Sequence, residues 1–292
     1  MYTYPKDKVK GALYGIAIGD AMGATTEFFP QHSIKKQYKK RTDIIGKGWL
    51  NLLPGEVTDP TELAFCVCDA LAKTASVRST SGYRKAFLNQ CCQNYADWYD
   101  SHPFDIERCI VNAIEHCRNE NYQKWALFST VPDNNDSSVL FAVAPAILTR
   151  HSIQLVMELG SLTHNNSICN NGIRKFRQIL IACLRDMEVT SQVFSQLPRR
   201  HRDIDCNIDS ALYHLETTAT FETAILEAVY HGGDTDAIAA LTGCLAGASY
   251  GYSTIPQRWI SQLMPSVREK LDICVDSVIG LHNSSSDASS CA

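Results

Sequence analysis

Apolar residues recur along most of the chain at intervals of three and four, the spacing of one face of an α-helix. The clearest such stripe consists of Ile106, Cys109, Ile110, Ala113, Ile114 and Cys117. Comparable stripes cover residues 83–99, 140–148, 153–162, 173–187, 221–229 and 259–279. No convincing strand-like alternation accompanies them. The pattern predicts an all-α fold, arranged as a compact orthogonal multi-helix bundle.

Two stretches interrupt the helical pattern. Residues 29–56 contain a basic run together with prolines and glycines, which predicts a long surface loop. Residues 283–292 are rich in serine and lack large apolar side chains, which predicts a disordered tail. The remaining length suits one large core, so we expect a single domain over residues 1–282.

Glycine recurs at every fourth position in two of the predicted helices. The residues are Gly11, Gly15, Gly19 and Gly23 near the start, and Gly243, Gly247 and Gly251 near the end. Glycine inside a helix costs about 1 kcal/mol relative to alanine, so this regular spacing requires a structural reason. A stripe of small residues lets helix backbones approach closely. We therefore expect both helices at the centre of the bundle, with mutual contact as one arrangement.

Composition excludes several classes of function. The net charge of −4 and the pI near 6.1 provide no basic surface for nucleic acid or an acidic membrane. The twelve cysteines contain no C-x-x-C pair and many lie in apolar helical patterns, which indicates buried thiols in a reducing compartment. Without a signal peptide or a run of about 20 apolar residues, we expect a cytoplasmic protein, with a monomer as the favoured state.

Acidic residues collect at the ends of the most apolar segments. Asp59 and the pair Asp234 and Asp236 each precede an apolar helix, and Glu27 follows another. One interpretation is helix capping, since aspartate before proline or before an apolar run is a common helix start. The alternative is a site for a hard cation such as Mg²⁺, which takes oxygen ligands from several segments.

The order of these segments resembles the ADP-ribosylglycohydrolase family. The segments that carry the resemblance are GALYGIAIGDAMGATTE at 11–27, TDPTELA at 58–64, LTH at 162–164 and GGDTDAIAALTG at 232–243. Together they span nearly the whole chain. The resemblance implies a family-type all-α fold and hydrolysis of the N- or O-glycosidic bond between ADP-ribose and a modified protein side chain.

The resemblance also implies a magnesium-assisted site that binds the ribose hydroxyls. Its metal ligands would be Thr58, Asp59, Asp234 and Asp236, holding one or two Mg²⁺ ions, with Mn²⁺ as a substitute. Glu27 matches the family glutamate that assists the attacking water. The further substrate-binding candidates are Asp20, Ser137, Ser138, His164, Gly232 and Gly233. The expected partner is an ADP-ribosylated protein or ADP-ribose itself.

Three departures from the family pattern keep alternatives open. Pro60 stands where the family has a second aspartate, and Ala237 stands where it has a threonine. The segment 137–142 lacks the asparagine, glycine and arginine found near the ADP-ribose phosphates in the family. The first hypothesis is therefore a hydrolase with a depleted, one-metal centre. The second is an inactive relative that binds ADP-ribose or a partner protein, and the third is a helical protein with no ligand.

Overall fold

Fourteen α-helices and two short 3₁₀ helices make up the regular structure of the described residues in the computed structural model. The structure describes residues 3–38, 42–129, 135–188 and 203–287. The α-helices are α1 Lys6–Gly23, α2 Gln31–Gln37, α3 Asp59–Lys73, α4 Tyr83–Asp100, α5 Arg108–Cys117, α6 Tyr122–Phe128, α7 Ser138–Leu148, α8 Ile153–Gly160, α9 Ser167–Leu184, α10 Ile204–Glu216, α11 Phe221–Val229, α12 Thr235–Tyr250, α13 Gln257–Gln262 and α14 Pro265–Asp287. The predicted all-α class is confirmed.

Helices α1 and α12 lie at the centre and run antiparallel. A Cβ atom added to Gly15 would lie 2.0 Å from the carbonyl oxygen of Gly243, and one added to Gly243 would lie 2.0 Å from that of Gly15. Gly11 meets Gly247 in the same way, one turn further along. The glycine stripes therefore face each other, as the sequence suggested, because only residues without a Cβ allow the two backbones to come this close.

The remaining helices surround this central pair. Helices α9, α10 and α11 pack against α12, whereas α3 packs against α4, α7 and α14. One continuous group of buried apolar side chains connects them. The arrangement directs the end of α1, the start of α3 and the start of α12 toward one region, where the acidic residues lie. None of the helices described here is long and apolar enough to cross a membrane.

Several expected boundaries differ from the structure. The predicted surface loop at 29–56 contains helix α2, and its Ile34 is fully buried, so apolar contact stabilises a short helix there. The stripe at 259–279 divides into α13 and α14 at Pro265, because proline disrupts a helix interior but suits a helix start. Helices α6 and α10 were not predicted.

Helix α14 extends into the tail at residues 283–292 that the sequence predicts to be disordered. The backbone remains helical to Asp287, and residues 288–292 lie outside the described part of the chain. A helical backbone satisfies its own hydrogen bonds, so this extension needs no apolar contact to continue from the buried part of α14. The disorder of this tail and the single domain over residues 1–282 stay predictions.

Candidate active site

The end of α1 and the start of α12 are joined by hydroxyl hydrogen bonds. The Thr235 hydroxyl donates to the carbonyl oxygen of Gly23 at 2.9 Å, and the hydroxyls of Thr26 and Thr235 lie 3.0 Å apart. Both threonines are fully buried. These contacts fix the turn that carries Glu27 beside the first turn of α12, which carries Asp236.

Three carboxyl groups converge at this junction. Oxygen atoms of Glu27, Asp234 and Asp236 all lie within 4.8 Å of one another, and all three side chains are buried. Burial, and then the negative charges of Glu27, Asp234 and Asp59, raises the pKa of Asp236 well above its ordinary value. Its Oδ1 atom has no hydrogen-bond partner among the described residues. Such a group is costly unless a cation compensates it.

The capping interpretation of these acids is wrong. Asp234 occupies the N-cap position of α12, yet its side chain makes no capping hydrogen bond. Asp59 is the first residue of α3, whose N-cap is Thr58, again without a side-chain cap. Neither carboxylate caps its own helix terminus, and both side chains line the pocket between the helices.

A small, mostly acidic pocket connects these segments. Its cavity of about 20 Å³ is enough for one water molecule or an ion of similar size. The acidic lining residues are Asp59, Asp105, Glu107, Asp136, Asp234 and Asp236, and the others are Pro60, Ser137, Ser138, Phe141 and Ala237. The predicted ligands Asp59, Asp234 and Asp236 thus share one pocket.

Two of the three departures from the family motifs, Pro60 and Ala237, lie on the wall of this pocket. Pro60 and Ala237 are lining residues, so carbon atoms occupy the places where the family has a carboxylate and a hydroxyl. Pro60 is the second residue of α3, where a missing backbone donor is tolerated. The substitutions therefore change the ligand set of the pocket while the two helix starts are retained.

Three lining acids were missed by the sequence analysis. Asp105 and Glu107 come from the segment between α4 and α5, and Asp136 lies two positions before α7. Burial raises the pKa of Asp59 well above its ordinary value. The negative charges of nearby acids add to this rise, in the order Asp105, Asp20, Glu107 and Asp136. The only local signal was that these acids precede helices, a position that surface acids also favour.

Asp20, a predicted substrate-binding residue, does not line the pocket. It is fully buried and accepts hydrogen bonds from the backbone N–H and hydroxyl groups of both Thr58 and Thr61. Burial raises the pKa of Asp20 to about 6, although these hydrogen bonds oppose the rise. Asp20 therefore holds the start of α3 from within α1, which orients Thr58 and Asp59.

Gly232 and Gly233 do not line the pocket either, and their role is in the conformation of the backbone. Their φ angles are +87° and +83°, values that favour glycine. Phe28 N–H donates to the Gly233 carbonyl, and Gly233 N–H donates to the Phe29 carbonyl. This reciprocal pair joins the segment after Glu27 to the segment before Asp234, which explains the glycine pair without a substrate contact.

The remaining predicted substrate residues divide into two groups. Ser137 and Ser138 line the pocket, and Asn207 donates to both the Ser137 hydroxyl and Asp234. His164 is not a lining residue: it is fully buried and lies 3.0 Å from Asp136. Burial opposes ionisation of Asp136, but His164 and Ser138 outweigh it and lower the pKa of this carboxyl.

An aromatic pair stands beside Glu27. The indole N–H of Trp49 donates to Glu27 Oε2 at 2.6 Å, and the rings of Trp49 and Phe28 lie 5.4 Å apart. Both rings are about half exposed, at 50% and 44%. Trp49 was not among the predicted site residues, because residues 42–52 carry no helical pattern that would place it near the acids.

Comparison with protein families agrees with the resemblance in the sequence. The family model described as ADP-ribosylglycohydrolase matches residues 1–209 and 182–287. The ADP-ribosyl-[dinitrogen reductase] glycohydrolase of Rhodospirillum rubrum is 28% identical, with 94% of this chain and 96% of that protein covered. The ADP-ribosylarginine hydrolase Tri1 of Serratia proteamaculans is also 28% identical, covering 90% of this chain and 76% of that protein.

The fold is likewise shared with a solved structure. A chain of an "ADP-ribosylglycohydrolase-related protein complex" superimposes with a TM-score of 0.77 at 23% identity. The match covers 94% of this chain and 98% of the other. At this identity the likeness concerns the fold alone.

Proposed function

The chain belongs to the ADP-ribosylglycohydrolase family, and on that premise we propose that it hydrolyses the glycosidic bond joining ADP-ribose to a modified protein side chain. Removal of ADP-ribose from protein is the activity that the family and the named relatives indicate. The observation that carries the proposal is the convergence of Glu27, Asp234 and Asp236. Packing alone does not favour such a set, because burial and mutual repulsion both oppose its charge.

A hard divalent cation fits this carboxylate set. Its donors are oxygens, the Asp236 Oδ1 atom lacks a partner among the described residues, and the cavity has the volume of a single ion or water. We assign Asp234 and Asp236 to binding Mg²⁺, or Mn²⁺ in its place, with Asp59 contributing from α3. The Thr58 hydroxyl, a predicted ligand, does not line the pocket and donates to Asp20 instead. When bound, the cation supplies positive charge that holds the ribose hydroxyl oxygens.

We assign the proton transfer to Glu27. Water attacks the anomeric carbon of the ribose, the bond from that carbon to the side-chain atom breaks, and the electron pair leaves with the side chain. The Glu27 carboxylate orients the water and accepts its proton, which then returns to the leaving atom. The indole N–H of Trp49 donates to Glu27 Oε2, which holds the carboxylate in position for this role.

Arginine is the side chain that the surroundings of Glu27 fit best. A guanidinium group is planar and cationic, and it stacks on aromatic rings. The half-exposed rings of Phe28 and Trp49 offer such faces directly beside the Glu27 carboxylate. The relative from Serratia proteamaculans is named for this linkage, which supports the same substrate class.

The decisive assay measures free ADP-ribose released from an arginine-ADP-ribosylated protein in the presence of Mg²⁺. We expect turnover by the wild-type chain, and a loss of about 100-fold or more in kcat for Glu27→Gln. Asp69→Asn is the matched control, since Asp69 is a half-exposed carboxylate that pairs with Lys73 on α3. The proposal fails if wild-type protein releases nothing from arginine, serine or other linkages.

Pro60 and Ala237 favour a second function, binding without turnover, because each removes an oxygen ligand from the pocket wall. Calorimetry with ADP-ribose distinguishes the two functions: binding without metal and without hydrolysis supports the second. The double variant Pro60→Asp with Ala237→Thr restores both oxygens. If hydrolysis arises only in that variant, the natural chain is a binding protein; if the wild-type chain already turns over, the second function is excluded.

A further inference from the structure

A second group of potential metal ligands lies behind the acidic pocket. Cys109 Sγ is 3.2 Å from both His164 Nε2 and Asp136 Oδ2, and His164 Nε2 is 3.0 Å from Asp136 Oδ2. The three atoms thus form a nearly equilateral triangle. They come from α5, from the turn after α8 and from the residue two positions before α7, so three separate segments converge on one point.

Hydrogen bonding accounts for only part of this triangle. Its three close contacts would require three protons, but the thiol carries one, His164 Nε2 carries at most one, and an ionised carboxylate carries none. If the thiol and the imidazole both donate to Asp136, the contact between Cys109 and His164 has no proton of its own. A cation at the centre would use one lone pair from each of the three atoms.

The distances also suit a tetrahedral cation. Zinc binds nitrogen and oxygen at about 2.0 Å and sulfur at about 2.3 Å, which places tetrahedral ligand atoms about 3.3 to 3.6 Å apart. The observed separations of 3.0 to 3.2 Å need to widen by only a few tenths of an ångström. This change is within the reach of side-chain rotation.

The surrounding hydrogen bonds hold the ligands in position. His164 Nδ1 lies 2.8 Å from the Thr163 hydroxyl, while Asp136 Oδ1 accepts from the backbone N–H of Ser138 and from its hydroxyl. These partners leave His164 Nε2 and Asp136 Oδ2 directed at Cys109. Such outer contacts orient the ligands of protein metal sites.

We propose that Cys109, Asp136 and His164 form a site for a thiophilic divalent cation, of which Zn²⁺ is the representative. The donor set separates it from the carboxylate centre, because sulfur and imidazole nitrogen favour zinc whereas Mg²⁺ takes oxygen. Asp136 also lines the acidic pocket, so water can reach a fourth coordination position from that side. The site stands independently of the proposed hydrolysis.

Cobalt(II) provides the test, since it occupies zinc sites and reports its ligands by absorption. The metal-free full-length protein is titrated with Co²⁺. We expect one equivalent to produce a thiolate-to-cobalt band in the near ultraviolet and the intense visible bands of tetrahedral coordination. Zn²⁺ should bleach these bands, whereas millimolar Mg²⁺ should leave them unchanged.

Variants then assign the bands to the triangle. Cys109→Ser and His164→Gln should each abolish the thiolate band or weaken Zn²⁺ binding at least about 100-fold, with circular dichroism verifying the fold. Should one of them fail to fold, the other decides. Cys206→Ser is the matched control, because Cys206 is more exposed than Cys109, and Asp236→Asn tests whether the carboxylate centre contributes.

The proposal is overturned if the folded wild-type protein shows no thiolate band. It is also overturned if the band survives in both triangle variants, or if it disappears in Cys206→Ser or Asp236→Asn. Because absorption requires no turnover, a failure here is distinguishable from a failure of the proposed hydrolysis. A hydrolase without the cobalt bands and a cobalt-binding protein without hydrolysis are both recognisable outcomes.

Discussion

At the scale of single residues, the buried carboxylates of the pocket lower the stability of the metal-free fold, yet the same carboxylates are the proposed ligands of the cation. Asp236 is buried beside other acids, and it has an oxygen without a hydrogen-bond partner in the described structure. A carboxyl whose pKa is raised in the folded state binds its proton more tightly there than in the unfolded chain. Its contribution to stability is therefore present at low pH and is lost as the pH rises through the raised pKa.

Asp236→Asn should consequently stabilise the metal-free protein at pH 7.5 and abolish its response to Mg²⁺. The neutral amide removes both the burial cost of the charge and its repulsion by Glu27, Asp234 and Asp59. Thermal unfolding in the presence of a chelator checks the gain, which should shrink toward pH 4. A variant less stable than wild type at pH 7.5 would contradict this account of the cluster.

Trp49 should act on the rate through Glu27. Trp49→Phe keeps an aromatic face but removes the indole N–H that donates to Glu27 Oε2. We expect kcat to fall by about 10-fold, since a catalytic carboxylate that loses its orienting partner is less well positioned, while KM changes little. Steady-state kinetics measure kcat and KM separately. A rise in KM alone would instead assign Trp49 to substrate binding.

At the scale of secondary structure elements, the contact between α1 and α12 determines where the acids meet. The two backbones touch at every fourth residue, so the helices cannot shift relative to each other without a collision of carbonyl groups. This fixed register places the end of α1 beside the start of α12. The threonine hydrogen bonds and the reciprocal pair between Phe28 and Gly233 then hold the two connecting segments.

Gly243→Ala should destabilise the fold severely. The new methyl would lie 2.0 Å from the Gly15 carbonyl oxygen, and this backbone carbonyl cannot rotate away. We expect a loss of about 3 kcal/mol in the free energy of unfolding, measured by urea denaturation. Gly280→Ala in α14 is the control: nothing lies within 4 Å of the added atom, so helix propensity should make it neutral or stabilising.

At the scale of the whole molecule, the pocket is the point where five parts of the fold depend on one another. The start of α3 is held by Asp20 from α1, and Asp234 is held by Asn207 from α10. The segment before α5 contributes further negative charge. Ligand binding at this point should therefore stabilise the whole fold rather than a single segment, because it bridges helices that are distant in sequence.

The effect of Mg²⁺ on the melting temperature should increase with pH. Protons compete with the cation for Asp59 and Asp236, whose pKa values are raised, so binding requires proton release at acidic pH. We expect a larger increase in melting temperature at pH 8 than at pH 5.5, measured by calorimetry at fixed Mg²⁺. An increase that is independent of pH would show that these carboxyls are not the ligands.

Local sequence determined the fold class and indicated several acids of the candidate site. Helical periodicity predicted most of the elements, and the four-residue glycine spacing predicted the close central contact, because both patterns reflect the geometry of a single helix. The acids at 27, 59, 234 and 236 were found through their positions at helix ends and the family resemblance. Short helices such as α2 and α6 were not predicted, because one or two helical turns contain too few apolar positions to show a period.

Tertiary structure decided which polar residues share the pocket. Asp105, Glu107 and Asp136 join it only because α4, α5 and α7 bring separate segments together, and no spacing along the chain encodes that distance. The same packing turned Asp20 inward to the start of α3 and placed His164 against Cys109. Sequence by itself specifies what a residue can bind through its chemistry and helical phase, whereas its partners depend on how distant helices pack, which is a property of the whole chain.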